Sequence, residues 1–478
     1  MTISINRLPR WRLVALSLAM LLPSLGTSIA NVALPSLATS FAAPFQDVQW
    51  VVIAYLLAVT TLIVSAGRLG DMLGRRRLLL VGIGLFAVAS AGCALAPNLG
   101  ALIAGRAIQG VGAAIMMALT VALVADAVPK ERTGSAVGLL GTVSAVGTAL
   151  GPSLGGGLLA WFGWPAVFVV MAGTGAITLV LGVLLLPADR PGSRRPASFD
   201  VVGTMLLAIS LGAYALATSL SAVLSGLSMT LLAGLAALGL LAFVTHERRT
   251  PSPLIRMDLL RNRALNTGLV TLALVSTILM ATLVVGPFYL SAVLGLSPVH
   301  TGLVMSIGPA VAALVGVPAG RLVDRVGPPT VTIVGLLGVA VGSLLMTLLP
   351  GWFGVGGYVG ALAVITGGYA LFQAANNTAI MTAATGELRG VTSALLGLSR
   401  NLGLITGASA MGALFALGSR GVAILGLQSG GGEAGMRLTF AVATAGAVFA
   451  ILVAAWGMRR ARSSPQAAAD QMAITRVE

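Results

Sequence analysis

The sequence predicts an all-α integral membrane protein built from two six-helix halves with two further helices inserted between them. Three observations lead to this prediction: the apolar composition, a series of long apolar segments, and a motif that occurs twice. Of the 478 residues, 57% are hydrophobic and 9% are charged, and the mean hydropathy is +1.00. Soluble proteins carry roughly 25% charged residues, so a soluble fold could not bury this much apolar surface.

Fourteen apolar segments are long enough to cross a membrane as helices, which takes roughly 20 residues for about 30 Å of hydrocarbon. The Gly-rich stretches limit the accuracy of this count to one span. An even number of spans places both termini on the same side of the membrane. The segments lie near residues 13–34, 48–66, 78–96, 99–125, 134–160, 165–186, 201–220, 225–244, 264–290, 301–319, 330–349, 354–384, 391–417 and 436–457.

The basic residues predict the orientation of these spans. All of the 28 Lys and Arg residues except Arg106, Arg400, Arg420 and Arg437 fall in the termini or in loops that follow even-numbered spans. Short loops rich in Lys and Arg stay cytoplasmic, so we expect a multi-pass inner-membrane protein with both termini in the cytoplasm. The basic start could also mark a signal peptide, but the first apolar run exceeds a typical signal h-region and no small-residue cleavage site follows it.

Composition also limits the partners and the chemistry. The net charge of +15 does not indicate nucleic-acid binding, because the basic residues form short clusters between apolar runs. The single cysteine, Cys93, offers neither a disulfide nor a metal site. Walker-type strings and intramembrane catalytic sets are absent from the sequence, so we expect no cofactor, no ATP-driven step and no enzyme. The expected partners are the lipid bilayer and a small-molecule substrate, and the sequence identifies no periplasmic adaptor.

A repeated motif divides the chain into halves. GRLGDMLGRRR begins at Gly67, and GRLVDRVGPP begins at Gly320 with Gly, Arg, Leu, Asp and Gly at the same five offsets. The separation exceeds six spans by about two helices, which indicates an inserted pair. We expect an amino-terminal half at 1–190, an insert and cytoplasmic linker at 191–263, a carboxy-terminal half at 264–460 and a cytoplasmic tail at 461–478. Parallel halves of this kind hold substrate at their interface near the bilayer midplane.

Five strings resemble signatures of the major facilitator superfamily, and within it the fourteen-span drug:proton antiporters typified by EmrB and QacA. They are NVALP from Asn31, QWVVIAYLL from Gln49, the string from Gly67, RAIQGVG from Arg106 and GTALGPSLGG from Gly147. The last is similar to a fifth-span signature of exporters. The resemblance implies a major facilitator fold and a multidrug-type efflux transporter that uses the proton gradient by alternating access. A facilitator or proton symporter for a neutral or anionic metabolite is the alternative.

The loop after the second span is a candidate for controlling the conformational change. By the resemblance, this loop stabilises the outward-open form and must release when the protein alternates. Its candidate residues are Gly67, Asp71, Gly74 and Arg75, with Asp324 as the counterpart of Asp71 in the second half. The alternative interpretation is that the basic residues of the loop only set the topology.

The fifth expected span is a second candidate for that role. Gly147, Gly151 and Gly155 recur every four residues, so they share one helix face and favour the close approach of a neighbouring helix. Pro152 removes a backbone hydrogen bond and permits a bend. Ordinary packing of small residues is the alternative interpretation.

Two arginines lie inside expected spans. Arg106 is roughly 10 Å from one end of the fourth span, and Arg400 is roughly 14 Å from one end of the thirteenth. Intramembrane ionisable residues are functional candidates, and the resemblance implies proton handling or cavity electrostatics for Arg106, with snorkelling as the alternative. All 13 acidic residues are expected in loops, tails or span ends, with Asp126 closest to the interior. Gly26 stands where the resembled group has an acid, so we expect the cavity to favour neutral, zwitterionic or anionic amphiphiles.

Polar and bulky residues in the spans are candidates for lining the substrate cavity. Gln373, Asn376 and Asn377 share about one helical turn, which makes them the preferred set. Each of the others can equally bond a neighbouring helix. His300 could titrate near neutral pH, although a solvated loop histidine is the commoner case. The candidates are Asn31, Tyr55, Gln109, Met116, Tyr289, Phe372, Gln373, Asn376 and Asn377.

Overall fold

The structure is a computed structural model that describes residues 10–127, 133–189, 200–219, 226–250, 253–254, 262–383, 389–420 and 431–462. Regular secondary structure within these ranges is entirely helical. The helices of the first part of the chain are α1 (Arg10–Ser40), α2 (Phe45–Val48), α3 (Trp50–Leu73), α4 (Arg75–Ala94), α5 (Leu99–Ala127), α6 (Thr133–Phe162), α7 (Pro165–Leu185), α8 (Val201–Ser219) and α9 (Gly226–Arg249).

The second part of the chain continues this pattern. Two π-helical segments, Tyr289–Val293 and Gly407–Met411, extend α10 and join α13 to α14. Such segments occur frequently at functional sites in helical proteins. The helices are α10 (Arg263–Phe288), α11 (Pro298–Val326), α12 (Pro328–Ala383), α13 (Arg389–Thr406), α14 (Gly412–Ser419) and α15 (Gly432–Arg462).

Twelve helical segments among the described residues are long and apolar enough to cross a membrane. This is two fewer than the fourteen that the sequence predicts. One of the twelve, at Pro328–Thr382, is 55 residues long and would measure about 80 Å if it were straight. Its backbone leaves helical geometry at Gly354, where φ is 53° and ψ is −127°. The helix α6, of 30 residues, is not among the twelve.

The chain reverses direction within α12. A Cβ atom built on Gly342 would lie 2.6 Å from the backbone nitrogen of Ile365, and one on Gly368 would lie 2.6 Å from that of Val339. Residues on the two sides of Gly354 are therefore in backbone contact, which a straight helix does not allow. The positive φ at Gly354 favours glycine at this reversal.

Large apolar side chains cover much of the outside of the helices. Trp161, Leu184 and Leu227 are each more than 70% exposed, and only 11% of the apolar window of α9 is buried. Exposed apolar surface of this extent is unfavourable in water and favourable in lipid. Helices also satisfy their own backbone hydrogen bonds, as a segment in hydrocarbon must.

The chain folds as two compact units. Unit 1 comprises Met1–Leu254 and Gly286–Pro309, and unit 2 comprises Ile255–Val285 and Ala310–Glu478. Within unit 1, α1 packs on α6, α3 on α5, and α4 on both α5 and α7. The helices α8 and α9, which correspond to the expected insert, pack on each other, and α8 also packs on α3. Within unit 2, α12 and α14 pack on α15. The domain limits expected from the sequence remain predictions.

Glycines allow α5 to approach its neighbours closely. A Cβ atom on Gly110 would lie 2.6 Å from the carbonyl oxygen of Tyr55, and one on Gly112 would lie 2.8 Å from the backbone nitrogen of Phe86. Real Cβ atoms do not come this close to backbone, so both positions require glycine unless a helix moves. The two contacts hold α5 against α3 and α4. They also determine where Arg106, one turn earlier, enters the helix packing.

Candidate functional site

Arg106 of α5 is completely buried within unit 1 and bonds to α1, to α3 and to a side chain of its own helix. Its Nε donates to the carbonyl oxygen of Val51 at 2.9 Å, and its Nη2 donates to that of Gly26 at 3.1 Å. Its Nη1 donates to the side-chain oxygen of Gln109. The guanidinium carbon lies 4.2 Å from the centre of the Tyr55 ring, within the range of a cation–π contact. Arg106 therefore does not snorkel to the membrane surface but connects α1, α3 and α5.

Gln109 and Tyr55 extend this network. The side-chain nitrogen of Gln109 donates to Ser90 Oγ of α4 at 2.6 Å and lies 3.8 Å from the sulfur of Met171 in α7. The hydroxyl of Tyr55 donates to the carbonyl oxygen of Pro23 in α1 at 2.8 Å. Gln109 and Tyr55 are almost fully buried, so in this conformation they bond neighbouring helices.

The partners of Arg106 are dipoles and an aromatic face. Among the residues that the structure describes, no carboxylate forms an ion pair or hydrogen bond with it. A Cβ atom on Gly26 would lie 3.4 Å from the Phe86 ring and 3.5 Å from the Tyr55 hydroxyl, which are ordinary contacts. A Cβ atom at position 26 is thus accommodated in the residue whose carbonyl oxygen already bonds the Arg106 guanidinium. Position 26 and the buried arginine therefore belong to one site.

Arg400 lies in α13 of unit 2 and is partly exposed. Its Nε is buried, and no acceptor within the described part of the chain reaches it. Arg400 thus differs from Arg106, whose donors bond carbonyl oxygens and an amide oxygen.

The polar cluster expected on the twelfth span lies in the second part of α12. Asn376 is buried, and its Nδ2 donates to the carbonyl oxygen of Gly268 in α10 at 3.3 Å. Gln373 and Asn377 are partly exposed, whereas Phe372 is completely buried. One member of the cluster therefore contacts a neighbouring helix, and the two others reach the molecular surface.

The remaining cavity candidates of unit 1 are also buried. Asn31 donates to the carbonyl oxygen of Thr27 at 3.0 Å, while its own Oδ1 meets no donor among the described residues. Met116 is fully enclosed, and Tyr289, which starts the first π-helical segment, is 1% exposed. Their assignment to a substrate cavity remains a prediction.

Asp71 and Arg75 form an ion pair at the junction of α3 and α4. The Asp71 Oδ1 atom lies 2.8 Å from both Nε and Nη2 of Arg75, and about a third of each side chain is exposed. Gly67 has open space where a Cβ atom would lie. Gly74 connects the two helices with φ at 99°, which favours glycine. The loop is therefore held by the pairing of Asp71 with Arg75 and by the turn at Gly74.

The other basic residues of this loop bond to the end of α7. Arg76 donates from Nε to the Leu186 carbonyl oxygen at 2.9 Å and from Nη2 to that of Val183 at 2.8 Å. The backbone nitrogens of Arg76 and Arg77 donate to the carboxylate of Asp189 at 3.0 and 3.2 Å. Asp189 therefore caps α4 where the helix dipole favours an anion. The sequence gives no signal for this role of Asp189, because its partners are more than a hundred residues away.

The other titratable candidates are exposed or have side chains outside the described residues. Asp324 in α11 is exposed. His300 is also exposed, and its Nδ1 lies 2.8 Å from Ser297 Oγ at the start of α11. The side chain of Asp126 lies outside the described residues, although α5 includes its backbone.

We expect Asp71→Asn to reduce transport strongly while leaving membrane abundance unchanged, because the substitution removes the charge that pairs with Arg75. Asp324→Asn is the matched control and should have a smaller effect, since Asp324 is exposed and Pro residues follow it in place of the basic run. Efflux rate and membrane abundance of both variants are the measurements. Full activity of Asp71→Asn would show that the ion pair has no role in transport.

Gly147, Gly151 and Gly155 of α6 face α1. Cβ atoms on Gly147 and Gly155 would lie 2.7 Å from the Leu21 carbonyl oxygen and 3.0 Å from an Ile29 side-chain carbon. A Cβ atom on Gly151 would overlap the side chain of Ser28. Pro152 lies inside this helix. The repeated glycines thus allow α1 and α6 to pack with their backbones in contact.

Two acidic residues stand at helix ends and are nevertheless buried, whereas the sequence indicated no buried carboxylate. Asp200 is 8% exposed and Glu247 is 2% exposed, and both lie in the α8–α9 pair. His246 Nε2 lies 2.8 Å from Asp200 Oδ1. The cluster could not be recognised in the sequence, because Asp200 precedes the first residue of α8 whereas His246 and Glu247 lie in the last turn of α9. The available signal was an aspartate directly before α8, a common position for a helix cap.

Comparison with known proteins identifies the family of this chain. Residues 16–408 match the Major Facilitator Superfamily. The chain belongs to the Major Facilitator Superfamily. It is similar to solved transporter structures, such as a bacterial homologue of the human lysosomal transporter Spinster in an inward-facing and occupied conformation. That likeness has a TM-score of 0.67 over 95% of this chain and 98% of the other, with 16% identity. At this identity, the likeness shows the fold.

Relatives at higher identity include several transporters. The multidrug resistance protein Stp of Mycobacterium tuberculosis is 32% identical over 86% of this chain and 76% of that protein. The multidrug efflux pump LfrA of Mycolicibacterium smegmatis is 31% identical over 84% and 80%. The riboflavin transporter RibZ of Clostridioides difficile is 30% identical over 84% and 88%. This member of the Major Facilitator Superfamily is therefore a multi-pass membrane transporter of small molecules and not an enzyme.

Proposed function

We propose that this protein is a secondary active efflux transporter of the multidrug type, which exports amphiphilic small molecules in exchange for protons. The observation that carries the proposal is the exporter-like string at Gly147–Gly156, in which Gly147, Gly151 and Gly155 pack α6 against α1. Similarity to Stp and to LfrA, each named for multidrug resistance or efflux, supports the same function. Neither a cofactor nor ATP is part of this proposal, since the proton gradient supplies the energy.

The buried charge supports a preference for substrates that are not cations. Arg106 contributes a positive charge without a carboxylate partner in the described structure, and a hydrophobic dication near it would meet repulsion in addition to its cost of desolvation. We therefore propose that neutral, zwitterionic and anionic amphiphiles are preferred. The riboflavin transporter RibZ among the relatives supports a second candidate function, the transport of a neutral or anionic metabolite by a facilitator or symporter.

We further propose that the chain crosses the membrane fourteen times, as in the EmrB and QacA group, with both termini cytoplasmic. The reversal at Gly354 supports two crossings within α12, and the length of α6, 30 residues, supports a crossing there. The distribution of arginines supports the orientation. Single cysteines placed near residues 220–225 and 354, in a Cys93→Ser background, should react with a membrane-impermeant reagent from outside the cell. Reaction only from the cytoplasm would contradict this topology.

Gly26→Asp is expected to shift the substrate preference toward cations, because the new carboxylate would lie beside Arg106 and neutralise its charge. Resistance of a pump-deficient strain should be measured for matched neutral, anionic and dicationic amphiphiles, with wild type, Gly26→Asp and empty vector compared. Gly26→Ala is the control, since it adds a side chain in the same space without charge. The proposal of efflux is contradicted if wild type protects against none of the compounds.

The charge preference has its own contradicting results. Strong protection by wild type against dications would show that the uncompensated arginine does not control selection. An unchanged profile for Gly26→Asp, in protein of normal abundance and thermal stability, would show the same. A shift that Gly26→Ala reproduces would show that volume, and not charge, changes the preference.

A further inference from the structure

Arg400 is an intramembrane arginine that the described part of the protein leaves without a partner. It stands eleven residues after Arg389, the first residue of α13, which is about 16 Å along the helix. Its side chain is partly exposed, yet its Nε atom is buried and meets no acceptor. None of the residues that the structure describes forms a hydrogen bond or an ion pair with this side chain. The described helices therefore supply no counterion for Arg400.

The sequence positions of the other acidic residues agree with this. Every acidic residue outside the described ranges stands between two helices or in the tail. Glu387, the nearest of them to Arg400 in the sequence, precedes α13. An arginine side chain spans less than half of the distance from Arg400 to the start of this helix. The first residue of α13 is therefore beyond the reach of the guanidinium.

The face of α13 that carries Arg400 has room for a ligand. Residues three and four positions apart share a helix face, and a helical side chain lies over the turn that precedes it. In that turn, a Cβ atom built on Gly397 would meet no described neighbour within 4 Å, and Leu396 is partly exposed. The side chain of Arg400 thus extends toward open space that has an apolar residue at its edge.

One turn of α10 joins this part of α13 to the polar cluster of α12. The carbonyl oxygen of Gly268 accepts a hydrogen bond from Asn376 Nδ2 at 3.3 Å. The next carbonyl oxygen, that of Leu269, accepts one from Ser399 Oγ at 2.5 Å. Ser399 directly precedes Arg400, so Arg400 and Asn376 lie at the same depth within unit 2.

The two other members of that cluster also have polar groups to offer a ligand. Gln373 and Asn377 are four residues apart, share a face of α12 and are partly exposed. Neither side chain forms a hydrogen bond with another described residue. Arg106 of unit 1, in contrast, is fully buried and already donates to three acceptors. A ligand that needs a cationic donor therefore finds one at Arg400 and not at Arg106.

We propose that Arg400 binds the anionic group of an amphiphilic substrate, whose apolar part lies in the open space beside Gly397. A guanidinium inside a span is costly unless it faces a water-filled cavity or a partner, and its planar set of donors matches the two oxygens of a carboxylate. This inference rests on the proposed transport of amphiphiles. It names the substrate class as an apolar body that carries one carboxylate or a similar oxyanion.

Binding to the purified full chain in phosphatidylcholine nanodiscs tests the proposal without transport. The probes are dansyl-undecanoic acid, ionised in mildly alkaline buffer, and its uncharged primary amide, with empty nanodiscs as the background. A hydrogen bond between charged groups contributes about tenfold or more to affinity, so Arg400→Gln should weaken binding of the acid by about that factor and leave binding of the amide unchanged. Arg400→Lys keeps the charge and should recover part of the affinity. Arg420→Gln removes an exposed arginine of the same unit and should change neither affinity.

Two further arms locate the site and identify the source of the anion. Gly397→Leu fills the open space without a clash and should weaken binding of the acid while the charge of Arg400 is retained. An anionic phospholipid offers the same chemistry as an anionic substrate, so the titration is repeated in nanodiscs that contain phosphatidylglycerol. Competition by this lipid would assign the anion site to a headgroup, and undiminished binding of the acid would assign it to a substrate.

The outcomes separate this proposal from the proposed transport function. Equal affinity of wild type for the acid and the amide overturns the proposal, and this comparison needs no variant. Wild-type affinity for the acid in Arg400→Gln, in protein with a normal melting temperature, also overturns it. Unchanged binding in Gly397→Leu overturns the position of the site. Failure of efflux assays would leave all of these results unaffected, because the measurement involves no transport.

Discussion

Arg106→Leu abolishes transport and lowers the thermal stability of the protein, if the buried network has the role that its geometry indicates. Leucine removes the donors to the carbonyl oxygens of Gly26 and Val51 and to the side chain of Gln109. Each buried polar group left without a partner costs about 1–3 kcal/mol. The expected result is a lower melting temperature of the purified protein together with loss of efflux.

Two further substitutions separate the role of the network from a general effect of losing an arginine. Arg420→Leu removes an exposed arginine and should leave both melting temperature and efflux unchanged. Arg106→Lys keeps the charge but not the planar fork of donors, so it should recover part of the stability and less of the transport. Wild-type stability and efflux in Arg106→Leu would contradict a structural and electrostatic role for this residue.

Gly151→Val is expected to eliminate efflux, because α1 leaves no room for a side chain at this position of α6. A Cβ atom there would lie 2.7 Å from Ser28 Cβ and 2.9 Å from the backbone nitrogen of Ile29, closer than real Cβ atoms come. The two helices must separate to accept valine. This separation breaks the close backbone contact between α1 and α6. Efflux and membrane abundance should be measured together.

The same helix provides the control for this substitution. Gly157→Val adds the same side chain six residues later, where no atom lies within 4 Å of the Cβ position. We expect near wild-type efflux and abundance for Gly157→Val. Equal activity of the two variants would show that the close packing of α6 on α1 is dispensable for transport.

Sequence reasoning identified Arg106 but not its partners, and the reason is physical. Its distance from the span ends follows from helix geometry, so an intramembrane position could be predicted from the sequence. Its hydrogen bonds go to backbone carbonyl oxygens of Gly26 and Val51, and any residue type supplies such an oxygen. Only the packing of three helices determines which carbonyl oxygens are within reach.

The glycines of α6 show the opposite case. Their spacing of four residues placed Gly147, Gly151 and Gly155 on one face, and the absence of side chains on that face indicated a close neighbour. The structure supplies the identity of that neighbour, α1. Spacing thus predicts a contact face, whereas the partner depends on tertiary structure.

The buried pair of Asp200 and Glu247 could not be predicted because acidic residues at span ends are ordinarily solvated. The two residues are 47 positions apart on antiparallel helices, and neither residue belongs to a recognisable motif. The number of spans is difficult to establish for a related reason. The sequence placed a break between segments 330–349 and 354–384, and Gly354 reverses the chain there, yet the helical geometry on both sides continues almost without interruption.

The exchange of protons for substrate is tested most directly with purified protein in liposomes that carry an imposed pH gradient. A permanently neutral amphiphile should accumulate in liposomes with an acidic lumen, because outward proton flow drives substrate inward. A protonophore should abolish accumulation, protein-free liposomes should show none, and Asp71→Asn liposomes should accumulate much less than wild type. Accumulation in an alkaline lumen would indicate symport, and equilibration that ignores the gradient would indicate a facilitator. Either of these two results would contradict proton-coupled efflux.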